Sequence, residues 1–206
     1  MSSIGGSSSS RSRLYFDELA ALVPVLPYEA MDRIVELIVR ACREERTIFV
    51  FGNGGSAASA SHMICDLNKG VAQSANTVRL KALALTDNVP LLTAWANDLS
   101  YEHVFSEQLK NFVRPGDVAL ALSCTGNSRN VLAGLGTALE MGATAAGLAG
   151  FEGGAMKALC HVCAVVPCEN MQIIEDLHQA MLHSICCSVG ECLREPRPAL
   201  HLAAAR

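Results

Sequence analysis

Apolar residues at helical spacing open the chain. Leu14 to Val23 and Tyr28 to Arg46 carry them three and four positions apart, the second stretch at Met31, Ile34, Val35, Ile38, Val39 and Cys42, and proline or polar residues bound each stretch. Both read as helices. The pattern then changes at Thr47-Ile-Phe-Val-Phe51, a short β-branched and aromatic run closed by Gly52, which fits a buried strand. Behind it, Phe51-Gly-Asn-Gly-Gly-Ser-Ala-Ala-Ser-Ala-Ser-His runs from glycines into a helical pattern that carries His62 and Asp66. This alternation recurs: Leu80 to Leu85 precedes a helical stretch to Ala96, and Val118 to Leu122 precedes Asn127 to Met141. It returns with Thr144 to Leu148 before Gly153 to Leu159, and with Val162 to Val166 before the long segment from Asn170 to Leu193. Buried strands alternating with helices predict an α/β fold in three αβα layers, with a five-stranded parallel sheet preceded by N-terminal helices.

Residues 14–194 read as a single domain, 1–13 as a disordered leader and 195–206 as a flexible tail. The leader MSSIGGSSSSRSR lacks the apolar core of a secretion signal. With 206 residues, 50% of them hydrophobic and 17% charged, the chain can bury a sizeable core. A net charge of -4 gives no electrostatic footprint for nucleic acid or an anionic membrane surface. No run reaches the roughly 18 uninterrupted apolar residues that a membrane helix needs. Small molecules and copies of the chain itself are the expected partners. Nine cysteines, an odd number without a signal peptide, point to a reducing compartment, the cytoplasm, where thiols behave as small apolar residues. The two leading helices and the stripe Met171, Ile174, Leu177, Met181, Ile185 and Val189 on the last one predict a homo-oligomer, because they offer more apolar surface than one small sheet covers.

In a parallel sheet, ligands bind where strands end and helices begin. Two such loops carry chemistry. In Gly52-Asn-Gly-Gly-Ser56, glycines let backbone amides approach an anion and Ser56 can cap the next helix. In Leu122-Ser-Cys-Thr-Gly-Asn-Ser128, the hydroxyls of Ser123, Thr125 and Ser128 and the amides of a helix start suit a phosphate. Neither is a Walker A loop or GxGxxG, so a nucleotide is not the natural ligand; both sequences are also ordinary turn and cap chemistry. His62 and Asp66, at i and i+4, share one helix face. On the last helix Glu175 and His183 share a face but start about 12 Å apart along the axis, and His178 lies about 140° round from His183, away from its site. Cys160 and Cys163 have zinc-like spacing without a second pair, so they read as core thiols, as Trp95 and Phe105 read as core aromatics.

The chain resembles the sugar isomerase (SIS) domain proteins, and within them the phosphoheptose isomerases, from about Leu14 to Leu193. The resemblance rests on GNGGS at 52–56, His62 with an acid four residues on, AND at 96–98, SxTGNS at 123–128, the glycines 153 and 154, and the acidic and histidine-bearing last helix. It implies a five-stranded parallel sheet between helices, a homotetramer with active sites at subunit interfaces, and interconversion of sedoheptulose 7-phosphate and D-glycero-D-manno-heptose 7-phosphate. By the same resemblance Ser123, Thr125 and Ser128 hold the phosphate. Asn53, Gly54, Gly55, Ser56, Asn97, Asp98, Cys124 and Glu175 complete the substrate site. His62, Asp66, Glu175 and His183 hold a divalent metal, zinc being favoured, and Asp66 and His183 transfer the proton. Such an aldose-ketose shift needs a base beside the carbonyl and an acid at its oxygen, through an enediolate.

The chain departs from the family at three places: Asp66 stands where Glu is usual, Glu175 where Gln is usual, and Gly70, after Lys69, where an arginine is usual. Two further readings therefore stand beside the heptose isomerase. One is an isomerase of another sugar phosphate; the other is a non-catalytic SIS binding module, like the relative that binds the bacterial replication initiator. His62, Asp66 and His183 together favour catalysis.

Overall fold

The structure is a computed structural model and describes residues 8–71 and 79–194. Its strands are β1 (Thr47–Gly52), β2 (Lys81–Ala84), β3 (Val118–Ser123), β4 (Thr144–Ala149) and β5 (Val162–Val165). They pair in the order β2-β1-β3-β4-β5, every pair parallel. The helices are α1 (Ser8–Leu22), α2 (Tyr28–Arg43), α3 (Gly55–Cys65), α4 (Val89–Asp98), α5 (Ser106–Phe112), α6 (Arg129–Glu140), α7 (Gly154–Leu159) and α8 (Met171–Arg194). The expected five-stranded αβα architecture is the one observed.

The strand periodicity of two builds the layers. Ile48, Val50, Leu120, Leu122, Ala146 and Leu148 point to one side, where α2, α3 and α8 bring Ile34, Ile38, Met63, Leu177, Met181 and Ile185. Phe49, Phe51, Ala119, Ala121 and Ala145 point to the other and meet Leu109 of α5, Val131 and Leu135 of α6 and Met156 of α7. Phe51 packs on Phe105 there, with ring centroids 5.1 Å apart. Phe105 is core as expected, whereas Trp95 is only half-buried.

Three differences from the sequence reading have physical causes. Helix α1 begins at Ser8 and so takes in residues 8–13 of the expected leader; the Arg13 Nε to Asp17 Oδ1 bond of 3.0 Å, one turn apart, supports it. Residues 1–7 and 195–206 lie outside the described residues. Helix α5 has no counterpart in the apolar pattern, because its seven residues bury a polar side chain: Gln108 Nε2 donates to Leu85 O at 3.1 Å and to Val104 O at 2.7 Å. Finally, the α8 stripe of Ile174, Leu177, Met181, Ile185 and Val189 is covered within the chain, leaving Met171 exposed. Other exposed large apolar groups include Leu14, Phe16, Val23, Val25 and Tyr28 near the start of the described chain, with Leu83, Val89, Leu99, Tyr101 and Phe112 elsewhere. Among the described residues no helix is long and apolar enough to cross a membrane.

Candidate active site

Between β1 and β3 the chain changes direction: β1 leads outward to β2 on one side, and β3 returns on the other. Loops that follow two such strands diverge and leave a crevice at the C-terminal edge of the sheet. The two loops singled out in the sequence are the ones that follow β1 and β3, and Gly52 pairs with Leu122 at their base.

The first loop turns at Gly54 and enters α3 at Gly55. Gly55 lets the backbone approach the Glu175 carboxylate closely: a Cβ there would lie 2.8 Å from Glu175 Oε2, so the carboxylate would have to move aside. Glu175, on α8, is thereby seated against this loop; its Oε1 is also 4.0 Å from the Cys124 thiol. Burial, followed by the Glu175 charge, pushes the Cys124 thiol up, while the Ser56 hydroxyl bonds to it and lowers it. Ser56 does not cap α3. The helix starts one residue before it, with Gly54 as N-cap, so the buried Ser56 side chain faces Cys124 instead.

The second loop is fastened to its neighbours. Asn127 donates from Nδ2 to Thr125 O (3.1 Å) and accepts at Oδ1 from Ala155 N (2.9 Å), while Met156 N donates to Gly126 O (3.0 Å). Gly126 sits at a positive φ of 65°, and a Cβ there would run into the Gly153 carbonyl oxygen. Ser128 is the N-cap residue of α6 but makes no capping bond; its hydroxyl lies 3.2 Å from that of Ser123. Of the first-turn amides of α6, Val131 N donates to Asn130 Oδ1 at 3.0 Å, which leaves those of Arg129 and Asn130 beside the two hydroxyls at the helix start. The Thr125 hydroxyl accepts from Asn127 N at 3.2 Å.

Asn53 connects the two loops. Its Oδ1 accepts from Asn130 Nδ2 (2.8 Å) and Tyr101 Oη (2.9 Å), and its Nδ2 donates to Asn130 Oδ1 (2.8 Å). Asn130 and Tyr101 escaped the sequence reading, since nothing in their spacing marks a partner at position 53. Asn97 and Asp98 end α4, exposed and bonded to each other, Nδ2 to Oδ1 at 2.9 Å.

The titratable cluster lies where α3 meets α8. His62 Nε2 and His183 Nε2 are 3.2 Å apart, and Asp66 Oδ2 is 3.7 Å from the first and 3.6 Å from the second. Asp66 opens a π-helical turn, Asp66–Val71, that continues α3, so the i, i+4 relation to His62 is kept. Gln179, one turn before His183, places its Nε2 3.0 Å from His183 Nε2. The side chains of His62 and His183 are about half exposed. Beside them a hollow of about 380 Å³ is lined by Asp66, Gly70, His183, Cys186 and Gly190.

The donor set fits a metal ion. Ligands around a four-coordinate zinc at roughly 2.0–2.1 Å stand roughly 3.3 Å apart, and the separations of 3.2, 3.6 and 3.7 Å come close to that. Only three of the four expected ligands are gathered: among the described residues the cluster is His62, Asp66 and His183, and Glu175 stands apart from it. The helix axis explains this, since two turns separate Glu175 from His183. Cys186 is close by, but burial and the Asp66 charge hold its thiol protonated, with a pKa pushed up to about 12. His178 faces the sheet, as its angle predicts: it is buried, its Nε2 is 3.1 Å from Ala149 O, and burial lowers its pKa to about 4. Cys160 and Cys163 bond to each other at the edge of the second core, and all nine cysteines are free thiols.

Comparison with known proteins agrees with this fold. A family model described as SIS domain matches residues 15–150. The phosphoheptose isomerase of Paramagnetospirillum magneticum is 40% identical over 169 residues, 82% of this chain and 87% of the relative. A probable phosphoheptose isomerase of Thermoplasma acidophilum is 34% identical over 180 residues, 87% of this chain and 98% of the relative. Among solved structures, phosphoheptose isomerase from Neisseria gonorrhoeae superposes with a TM-score of 0.83 at 29% identity, covering 90% of this chain and 100% of that one. The chain belongs to the SIS domain family and, within it, to the phosphoheptose isomerases.

Proposed function

We propose that the chain is an aldose-ketose isomerase that interconverts sedoheptulose 7-phosphate and D-glycero-D-manno-heptose 7-phosphate, with Asp66 and His183 as its proton-transfer pair. The observation that carries the chemistry is the approach of Asp66 Oδ2 to His183 Nε2 at 3.6 Å, on the helix α8 that also seats Glu175 against the glycine loop. The relatives' names support the reaction. The substrate's phosphate lies at Ser123, Thr125 and Ser128 with the first-turn amides of α6, and its sugar oxygens run toward Glu175 and the cluster. Asn53 contributes as the tie between the two loops, because its amide oxygen is already filled by Asn130 and Tyr101.

In the forward direction a carboxylate oxygen takes the proton from the carbon beside the carbonyl, the electron pair forms the enediol double bond, and a proton reaches the carbonyl oxygen. Return of the proton from the carboxylate to the former carbonyl carbon, with the other enediol hydroxyl giving its proton back to the group that protonated the carbonyl oxygen, completes the shift, so nothing is consumed. His62, Asp66 and His183 would hold a divalent metal, zinc by donor type, which when bound would offset the negative charge developing on the sugar oxygens. An imidazole nitrogen cannot hold a metal and a proton at once. Asp66 Oδ2 faces the imidazoles, so the carboxylate's other oxygen is the one left to take the carbon-bound proton.

The proposed assembly is a homotetramer, supported by the apolar groups that stay exposed on α1 and at the start of α2, and by the open setting of the cluster. The proposed location is the cytoplasm, in keeping with nine free thiols. Incubating the purified protein with a panel of ketose and aldose phosphates and following interconversion by NMR tests the reading. Turnover of the heptose pair is the expected result. Turnover of only a different sugar phosphate would replace the substrate, and turnover of none would favour the non-catalytic binding module.

A further inference from the structure

We propose that Arg129 is a substrate-binding residue of this chain, the cation that meets the sugar's phosphate beside Ser123 and Ser128; the inference rests on the placement of the phosphate given above. Arg129 follows Ser128 directly and is the first residue of α6. Its side chain is exposed and, among the described residues, enters no ion pair and no side-chain hydrogen bond. It lines a cleft of about 420 Å³ together with Ser100, Tyr101, Glu102, Ser128 and Asn130. A cleft of this size is in the range of small-molecule sites.

Bonding within that cleft isolates Arg129 as its uncommitted donor. Asn130 Oδ1 accepts from Asn53 Nδ2 and from Val131 N, its Nδ2 donates to Asn53, and the Tyr101 hydroxyl donates to Asn53. Ser100 Oγ is bonded to His103 Nδ1 at 2.9 Å. The Ser128 hydroxyl looks back at Ser123. Glu102 lines the same cleft yet makes no ion pair with Arg129. One wall is therefore a closed amide and hydroxyl network, and Arg129, whose guanidinium carries five N–H donors, lines the same cleft beside Ser128.

The anion itself supplies the rest of the argument. A sugar phosphate near neutral pH carries close to two negative charges, with a second pKa of roughly 6. Two hydroxyls and a helix N-terminus offer dipoles to it but no full positive charge, in a chain whose net charge is -4. A guanidinium supplies the charge and can bind two phosphate oxygens at once, which an ammonium cannot do. Arg129 thus makes the site prefer a phosphorylated sugar to the free one.

The test uses the whole chain and inorganic phosphate as the probe, by calorimetry, on wild type, Arg129→Gln, Arg129→Lys and the control Arg40→Gln. Arg40 lines a hollow beside Val162, at the opposite edge of the sheet. Loss of charge-assisted bonds should raise the Kd of phosphate by roughly tenfold or more in Arg129→Gln, with Arg129→Lys in between and Arg40→Gln at the wild-type value. KM for the turned-over sugar phosphate should rise by a similar factor, with the larger share of the effect in KM than in kcat. Melting curves establish that each variant is folded. Phosphate binding as tight in Arg129→Gln as in wild type, or no binding by wild type, overturns the inference. If wild type binds phosphate and Arg129→Gln does not, while no sugar phosphate is turned over, the inference stands and the isomerase reading falls.

Discussion

The loop at 123–128 and the cluster of His62, Asp66 and His183 are built in opposite ways. The loop is held by backbone and by Asn127, with Gly126 pressed onto Gly153 and the Ser128 hydroxyl turned from its cap position toward Ser123. The cluster is held by side chains alone, from two helices, with both imidazoles half exposed. Its three donor groups lie within 4.8 Å of one another, an arrangement that a bound ion would stabilise by neutralising Asp66 and by giving both nitrogens one partner. A phosphate is the same anion in substrate and product, so a rigid cradle costs the reaction nothing. The proton-transfer end has to serve a changing charge distribution, and there the chain places titratable groups.

The sharpest way to break that contrast is to disable the cluster without touching the fold. His183→Ala and Asp66→Asn should each lower kcat by roughly three orders of magnitude, the range expected when a positioned acid or base is lost. Their melting temperatures should stay near wild type, because the His183 side chain is about half exposed and neither residue belongs to the buried core. Bound metal, measured by elemental analysis, should fall in both variants. Active wild-type protein containing no zinc, nickel, iron or manganese would leave the acid-base roles in place and remove the ion.

Disabling the loop should have a different signature. With Thr125→Ala and Ser128→Ala combined, the substrate loses hydrogen bonds to a charged phosphate, each worth roughly 1.5–3 kcal/mol, so KM should rise about a hundredfold or more while metal content holds. An unchanged KM would place the phosphate elsewhere.

Behind both regions is His178, whose Nε2 meets Ala149 O at the end of β4 and ties α8 to the sheet. Its pKa is lowered from 6.5 to about 4 by burial, so the folded state holds it neutral while the unfolded chain takes up a proton below 6.5. This contribution is fully present above pH 6.5 and is lost as pH falls from 6.5 toward 4, by up to about 3 kcal/mol. His178→Gln should flatten the urea midpoint between pH 6.5 and 4 relative to wild type. Parallel slopes in the two proteins would show that His178 does not set the acid limit.

The legibility of these regions in the sequence follows the range of the interactions that make them. Strands such as Thr47–Gly52 and Val118–Ser123 were plain because both faces are buried, which leaves an uninterrupted apolar run. Their order placed the two polar loops together, and the i, i+4 spacing of His62 and Asp66 placed those side chains on one face. Contacts between distant segments left no such trace. Ser56 read as a helix cap, yet a tertiary partner, the Cys124 thiol, claims its hydroxyl. Helix α5 hides behind the buried Gln108, and Gln179 reveals its role only through contact with His183. The apolar stripe of α8 could not announce whether its own chain or a neighbour covers it; its own chain does.

Glu175 gives the smallest effect and the most discriminating one, because it lies on the helix that joins the two regions. By donor type it is a metal ligand; by position it belongs to the loops, against Gly55 and near Cys124, outside the group formed by His62, Asp66 and His183. Glu175→Gln keeps the shape and removes the charge. If the residue belongs to the loops, metal stoichiometry should match wild type, in contrast to Asp66→Asn. The Cys124 thiol should also become easier to ionise, since Glu175 is one of the two causes that raise it. The pH dependence of Cys124 alkylation would then move to lower pH, while burial, the larger cause, still holds the thiol up. Loss of metal in Glu175→Gln with an unmoved alkylation profile would transfer Glu175 from the loops to the cluster.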